Sequence, residues 1–209
     1  MQFVGSYSLF SIIFRNERDS MSSRFEQKTH ETIVKLLKTK DLDSISATDI
    51  TNDLGLTKQA FYYHAKNVPD YICGQIRKHV EELTDDCGNN INKLLPAAEQ
   101  GMQYFRENRI VMDAIMKSEN RSMYLDCLYD SITNETEKVL TRHLKKLPVD
   151  PDEDDKEFLT DFISGTIYGL LKDDLESRMS KEPDHNIEQY KRYYGKAISV
   201  NIEKFLKKI

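Results

Sequence analysis

Residues that form tight turns are scarce in this sequence of 209 amino acids. Its 8 Gly and 5 Pro are too few for a sandwich or barrel built from many short strands. No stretch approaches the roughly 18 consecutive apolar residues that a membrane-spanning helix needs. What is present instead, 39% apolar and 31% charged residues, is typical of a folded, soluble and mainly helical protein.

Cysteine is rare as well. Only Cys73, Cys87 and Cys127 occur, and they form neither an even set nor a CxxC pair. We therefore expect reduced thiols and a cytoplasmic protein, because structural disulfides are rare in that compartment.

The motifs of common enzyme classes are absent too. The sequence contains no GxSxG, HExxH, Walker or dinucleotide-binding motif. None of its five histidines has a histidine four residues away or a cysteine at metal-ligand spacing. These histidines are His30, His64, His79, His143 and His185. We expect no enzymatic activity, no metal site and no cofactor.

The N-terminal segment differs from the rest of the chain. Met1–Phe14 holds nine apolar residues and no charged one, and the first basic residue, Arg15, follows this apolar part. A secretory signal has the reverse order and a small-residue cleavage site. We interpret residues 1–20 as an upstream extension, disordered or foreign to the native protein. An ordered arm that binds a partner and a targeting signal are the alternatives.

The apolar spacing after residue 20 is helical. Apolar positions recur every three or four residues and predict a first helix that ends near residue 40. Two short helices follow, Ser46–Leu54 and Thr57–His64, with Gly55 between them. Ser46 and Asp49 stand at the spacing of an N-cap and its capping partner. Two helices of about two turns joined through a glycine are typical of a helix-turn-helix.

The remaining pattern is helical to the end of the chain. Pro69 opens a longer helix, and three or four helices are expected between residues 91 and 146, with breaks near Pro96, Asn108 and Ser118–Ser122. The most apolar helix, residues 152–179, and a final helix, residues 186–208, complete the sequence. We therefore predict an all-α fold.

Charge is unevenly distributed along the chain. The net charge of −5 excludes a basic protein that coats nucleic acid. Residues 21–80, however, carry nine Lys or Arg and seven Asp or Glu, whereas residues 81–209 carry 19 and 26. A weakly basic head on an acidic body suits a protein that approaches an anionic polymer with one face.

The segment Ser46–Lys66, SATDITNDLGLTKQAFYYHAK, contains side chains suited to base recognition. On the second helix, Gln can pair with adenine, Lys with guanine, and Thr or Ala can meet a thymine methyl group. Tyr and His suit phosphates, which set the register. We expect Ile50, Leu54, Leu56 and Phe61 to be buried between the two helices. The alternative, that FYYH is simply aromatic core, is disfavoured because four consecutive helical positions point in all directions.

The motif LGLTKQAFYYHAKN resembles the recognition-helix signature LGVSxxTFYxHFxxK of the TetR family of bacterial transcriptional regulators. The resemblance covers about residues 24–80. It implies a helix-turn-helix DNA-binding domain at residues 21–68, a linking helix at 69–88, and a larger helical effector-binding and dimerisation domain at 89–209. The later motif FISGTIYGLLKDDL is similar to a Firmicutes subgroup related to dihydroxyacetone-kinase operon regulators.

The resemblance also implies roles for individual residues. The residues expected to face bases are Thr57, Lys58, Gln59 and Ala60. Those expected to meet phosphates are Tyr62, Tyr63, His64 and Lys66 and, on the preceding helix, Ser46 and Thr48. Two positions depart from the family pattern, because Val68 stands where a second Lys is common and Ala65 where an aromatic residue follows the His. These departures predict weaker DNA affinity.

The family resemblance further implies a homodimer on a palindromic DNA operator, a small-molecule effector, and repression in preference to activation. The competing hypothesis from the residues is an all-α protein-interaction module that never binds DNA. No association with membranes is expected.

Candidate residues for a pocket and a dimer contact lie in the second half of the chain. Five of the seven Met lie between residues 102 and 179, and methionine adapts to irregular cavities, although ordinary core is the alternative. The candidate ligand-binding residues are Met102, Phe105, Met112, Met116, Met123, Tyr124 and Cys127. The candidate dimer contacts are Phe158, Phe162, Gly165 and Gly169, with Ile198, Ile202 and Phe205 on the last helix.

Overall fold

The computed structural model describes residues 21–148 and 151–177, and every regular element within these ranges is helical. The all-α prediction is confirmed. The helices, in chain order, are α1 (Met21–Leu36), α2 (Ala47–Leu54), α3 (Lys58–Tyr62), α4 (Val68–Asp85), α5 (Leu94–Glu107), α6 (Arg109–Lys117), α7 (Arg121–Leu144) and α8 (Glu153–Glu176). Short 3₁₀ turns at Leu42–Ser44 and Ile91–Lys93 precede α2 and α5.

Local sequence signals define the helix-turn-helix formed by α2 and α3. The Ser46 hydroxyl accepts a hydrogen bond from the Asp49 amide at 3.2 Å, and the Asp49 carboxylate accepts one from the Ser46 amide at 2.9 Å. This is the capping box that the sequence predicts. Gly55 ends α2 with φ of 64°, a left-handed conformation that glycine adopts without steric cost.

The two short helices and α1 share one small core. Ile50 and Phe61 are fully buried within it, as predicted. Leu56 was also expected to be buried, but 43% of this residue is exposed. It lies in the turn between α2 and α3, where its side chain is outside the contact between the helices.

Helix α4 runs from the head, which α1 to α3 form, into the body of the protein. The Asn67 side chain caps it by accepting a hydrogen bond from the Asp70 amide at 2.8 Å, and Pro69 lies in its first turn. Its 18 residues span about 27 Å at 1.5 Å per residue. Because α4 packs most extensively on α7, its position is set by the body.

The body consists of α5 to α8, which pack around the C-terminal part of α4. The break expected near Pro96 lies just before it, where the 3₁₀ turn ends and α5 begins at Leu94. Pro96 itself stands in the first turn of α5, where its missing N–H would have no helical partner. A buried ion pair joins α5 to α8. Both terminal nitrogens of Arg106 donate to the Asp174 carboxylate, at 3.0 and 2.7 Å.

The expectation that all cysteines are reduced is wrong for two of them. Cys73 on α4 and Cys127 on α7 form a disulfide, with their Cα atoms 5.8 Å apart. Cys87 is free and buried, and burial raises the pKa of its thiol. The 54-residue separation of the bonded pair carries no sequence signal, because the packing of α4 on α7 creates the contact.

Some predictions fall on residues that the structure does not describe. These are the N-terminal extension at residues 1–20 and the final helix at 186–208, with Ile198, Ile202 and Phe205. Among the described residues, no helix is both long and apolar enough to span a bilayer.

Candidate nucleic-acid interface and effector cavity

Helix α3 projects its first turn into solvent. Thr57 caps it, since its hydroxyl accepts a hydrogen bond from the Ala60 amide at 3.3 Å. Lys58 and Gln59 are exposed, and Ala60 is half-buried. All four residues predicted to face bases therefore lie together at the N-terminal end of one short helix.

The aromatic run after Ala60 is divided between core and surface. Phe61 is fully buried, whereas Tyr62 is 55% and Tyr63 87% exposed. His64 is also exposed, and its ring stacks on Phe25 of α1 with ring centroids 4.1 Å apart. The aromatic-core interpretation of FYYH is therefore wrong for three of its four positions.

The other residues predicted to meet phosphates lie at both ends of the helix-turn-helix. Lys66 is exposed, and its backbone amide donates to the Asp70 carboxylate at 2.9 Å. Ser46 is exposed at the start of α2, and Thr48 is half-buried two residues further on. Ala65 and Val68, the two departures from the family pattern, are both buried in the core.

Ion pairs neutralise several cations of the head. The Lys40 ammonium lies 2.6 Å from the Asp49 carboxylate, and this contact, with the Ser46 hydrogen bonds, holds the pKa of Asp49 well below its usual range. Lys35 likewise pairs with Asp53. By contrast, neither Lys58 nor Lys66 forms an ion pair with any described residue, so both ammonium groups are available to an anionic partner.

A carboxylate of the head docks on the body. Asp43, in the turn before α2, accepts hydrogen bonds from the Ser118 hydroxyl at 2.5 Å, the Glu119 amide at 2.9 Å and the Asn120 side chain at 3.1 Å. The Ser118 bond is the main cause of a lowered Asp43 pKa. The contact joins the head to the turn that precedes α7.

A cavity of about 90 Å³ lies between α1, α4 and the helices of the body. Phe105, Met112 and Tyr124 of the candidate ligand-binding set line it. The other four members lie outside its lining: Met102 is buried elsewhere in the core, Met116 and Met123 pack against the core, and Cys127 is in the disulfide.

Sequence reasoning missed the side of the cavity that α4 supplies. Tyr71, Ile72, Gln75, Ile76 and His79 form it. Their three- and four-residue spacing places them on one face of a helix. Periodicity alone could therefore have found this face of α4, but not the cavity beside it.

Burial alters the ionisable groups around the cavity. Burial raises the pKa of Tyr104 and of Tyr124 to about 12. It lowers the pKa of His30, which lines the cavity from α1. In each case burial disfavours the charged form of the side chain.

Comparisons with known proteins agree with this architecture. The family model TetR_C_8, described as a transcriptional regulator C-terminal region, matches residues 92–195. The chain belongs to the TetR family of transcriptional regulators. Members of this family are DNA-binding proteins and not enzymes.

Solved structures share the fold of this TetR-family regulator at low sequence identity. The dihydroxyacetone kinase operon activator DhaS is 16% identical, with a TM-score of 0.56, and the match covers 88% of this chain and 96% of DhaS. NalD, the secondary repressor of the MexAB-OprM multidrug efflux pump in Pseudomonas aeruginosa, is 16% identical, with a TM-score of 0.54 and coverage of 83% and 94%. A transcriptional regulator from Aquifex aeolicus is 19% identical, with a TM-score of 0.51 and coverage of 80% and 96%.

No curated protein sequence matches this chain at a significant level. The proposed relationship to the dihydroxyacetone-kinase subgroup stays a prediction, because likeness at 16% identity concerns the fold alone.

Helix α8 of the regulator presents an apolar face to solvent. Phe158 is 58% and Phe162 48% exposed, and their rings stack with centroids 6.3 Å apart. On the same helix, a methyl group added at Gly165 or Gly169 would meet no atom of residues 21–148 or 151–177 within 4 Å. Phe158, Phe162 and Gly169 are therefore exposed to solvent, and Gly165 is half-buried.

Proposed function

We propose that this regulator is a homodimeric repressor that binds a palindromic operator and is controlled by a small molecule in its cavity. The observation that supports the DNA-binding part is the exposure of α3. Its outward side chains are free to contact DNA, while the buried Phe61 anchors the helix to the core. Action on DNA makes the cytoplasm its compartment.

The two ends of α3 take different tasks in this proposal. Thr57, Lys58, Gln59 and Ala60 enter the major groove, where Gln59 and Lys58 can form bidentate bonds with base edges. The phosphate contacts come from Tyr62, Tyr63, His64 and Lys66 and from Ser46 and Thr48 on α2. Stacking of His64 on Phe25 restricts the imidazole and so reduces the entropy lost on binding.

Dimerisation compensates for the small positive charge of each head. Phosphate contacts supply most of the affinity of such proteins, and Lys58 and Lys66 are the available cations of the helix-turn-helix. Two heads on one molecule bind two half-sites together, which raises the overall affinity without a new contact. We assign the subunit contact to Phe158, Phe162, Gly165 and Gly169 on α8, with Ile198, Ile202 and Phe205 of the final helix.

Ligand control follows from the shared use of α4. This helix starts directly after the head at Val68 and supplies one wall of the cavity. An apolar cavity of about 150 Å³ holds benzene, and this one has about 90 Å³. In this proposal a ring-sized ligand displaces a wall, and displacement of α4 changes the spacing of the two heads. The ligand favours the conformation with the larger cavity and shifts operator affinity by its differential affinity for the two states.

Selection of bound sequences from a random duplex pool by the full-length protein tests the proposal. We expect enrichment of a palindrome with half-sites about one helical turn, or a multiple of it, apart. Absence of any salt-dependent binding to duplex DNA or heparin would favour the protein-interaction module instead. Expression of a reporter controlled by the selected palindrome should rise when the regulator is absent. A fall in expression would show an activator instead of a repressor.

A further inference from the structure

We infer that the effector of this cavity is an uncharged, mainly aromatic or apolar molecule with one hydrogen-bond donor, and that the donor binds Nε2 of His79. The inference rests on the proposed control by a small molecule and names the chemical class of that molecule. Its basis is the pairing of an apolar, charge-free lining with one unsatisfied buried nitrogen.

The lining of the cavity excludes a charged ligand. None of the twenty lining residues in the described part of the chain is Lys, Arg, Asp or Glu. A buried ion is costly unless a partner charge or several hydrogen bonds compensate it. The cavity already disfavours ionisation of its own groups, as the lowered pKa of His30 and the raised pKa of Tyr104 indicate.

His79 supplies the specific contact. Its Nε2 is buried and forms no hydrogen bond in the described part of the chain. The imidazole lies against the Tyr104 ring, with centroids 3.7 Å apart, so neighbouring packing restricts its rotation. A buried polar atom without a partner is costly in the empty cavity, so a ligand that satisfies Nε2 gains affinity that an apolar ligand of equal size does not.

The direction of the hydrogen bond follows from the other ring nitrogen. Nδ1 of His79 faces the Glu82 carboxylate, whose Oε2 is 3.9 Å away. The negative charge favours the tautomer with the proton on Nδ1, because that N–H dipole then points at the carboxylate. Nε2 is left as an acceptor, so the ligand group is an O–H or N–H donor. Glu82 itself is not part of the lining.

Phenol and toluene are matched probes, because they differ by a hydroxyl in place of a methyl group. We would measure their binding to the full-length protein by NMR titration at pH 8, where an ordinary imidazole is neutral and a phenol stays protonated. We expect phenol to bind about 3- to 10-fold more tightly than toluene, the range of one hydrogen bond. Benzoate, which carries a charge, should not bind.

Substitution of the histidine separates its role from general packing. In His79→Leu the preference for phenol should vanish, while toluene binds at least as well as before. His143→Leu is the matched control, since His143 lies outside the lining, with Nδ1 3.1 Å from the Asn89 carbonyl oxygen. This variant should keep the full preference for phenol.

The outcomes distinguish the inference from the proposed function. Equal binding of phenol and toluene, a preference that persists in His79→Leu, or binding of benzoate would overturn the inference. Absence of binding by all three probes would overturn both the inference and the effector site. Probes that bind as expected but leave operator affinity unchanged would uphold the ligand class and refute control of DNA binding by the cavity.

Discussion

The disulfide between Cys73 and Cys127 makes a quantitative prediction about stability. It closes a loop of 54 residues that contains the rest of α4 after Cys73, α5, α6 and the start of α7. In the chain-entropy treatment, a cross-link over a loop of this length stabilises the folded state by about 4 kcal/mol. For a protein of this size, each kcal/mol corresponds to roughly 2–4 °C in the melting temperature. Reduction should therefore lower the melting temperature by about 8–16 °C.

Thermal unfolding followed by circular dichroism, with and without dithiothreitol, measures this shift. Cys87→Ser should retain it, because Cys87 is not bonded. The double variant with Cys73→Ala and Cys127→Ala should lose it. Alkylation of the denatured chain without reduction should label one thiol, that of Cys87. Alkylation after reduction should label all three cysteines. Three labelled thiols without reduction, or a melting temperature insensitive to dithiothreitol in the wild type, would refute the assignment.

Three further predictions concern contacts within and between chains. Arg106→Met should destabilise the fold by about 3–5 kcal/mol, because it leaves the Asp174 carboxylate buried without its cation, and Asp174→Leu in the same chain should restore much of this loss in urea titrations. The hydrogen bonds that Asp43 accepts from the body should stabilise the fold fully above about pH 4, the ordinary pKa of an aspartate in the unfolded chain. This stabilisation should be lost as the pH falls through the lowered pKa of Asp43 in the folded protein. Asp43→Asn should flatten this acid dependence of the melting temperature. If the proposed dimer forms through α8, Phe162→Asp should convert it to monomers in analytical ultracentrifugation, whereas Glu157→Ala, also exposed on α8, should leave it intact.

The helix-turn-helix could be predicted because its signals are local. The capping pair Ser46 and Asp49, the left-handed Gly55 and the capping Thr57 each act over three or four residues. A sequence shows such short-range chemistry directly. The burial of Phe61 next to the exposed Tyr62 and Tyr63 follows from helical geometry in the same way.

The features that escaped prediction depend on contacts between distant segments. Cys73 and Cys127 meet only because α4 packs on α7. His79 lies on an apolar stripe, and nothing in the stripe distinguishes a residue beside a cavity from one in solid core. Met102 and Met112 are both methionines, yet of the two only Met112 lines the cavity. Tertiary packing decides such cases.

Helix α3 and its flanks form the proposed contact with operator DNA. Titration of a labelled operator at several salt concentrations tests it with Lys66→Ala and a control, Lys145→Ala. Lys145 follows the last residue of α7, a helix of 24 residues that extends about 36 Å from the end nearest the head. Both side chains are exposed, so each variant removes one surface charge.

We predict that Lys66→Ala weakens operator binding and lowers the slope of log affinity against log salt by about 2 per dimer, since each head loses one phosphate contact. Lys145→Ala should leave both quantities unchanged. An unaltered slope for Lys66→Ala, or an equal loss of affinity in the two variants, would refute the proposed DNA interface.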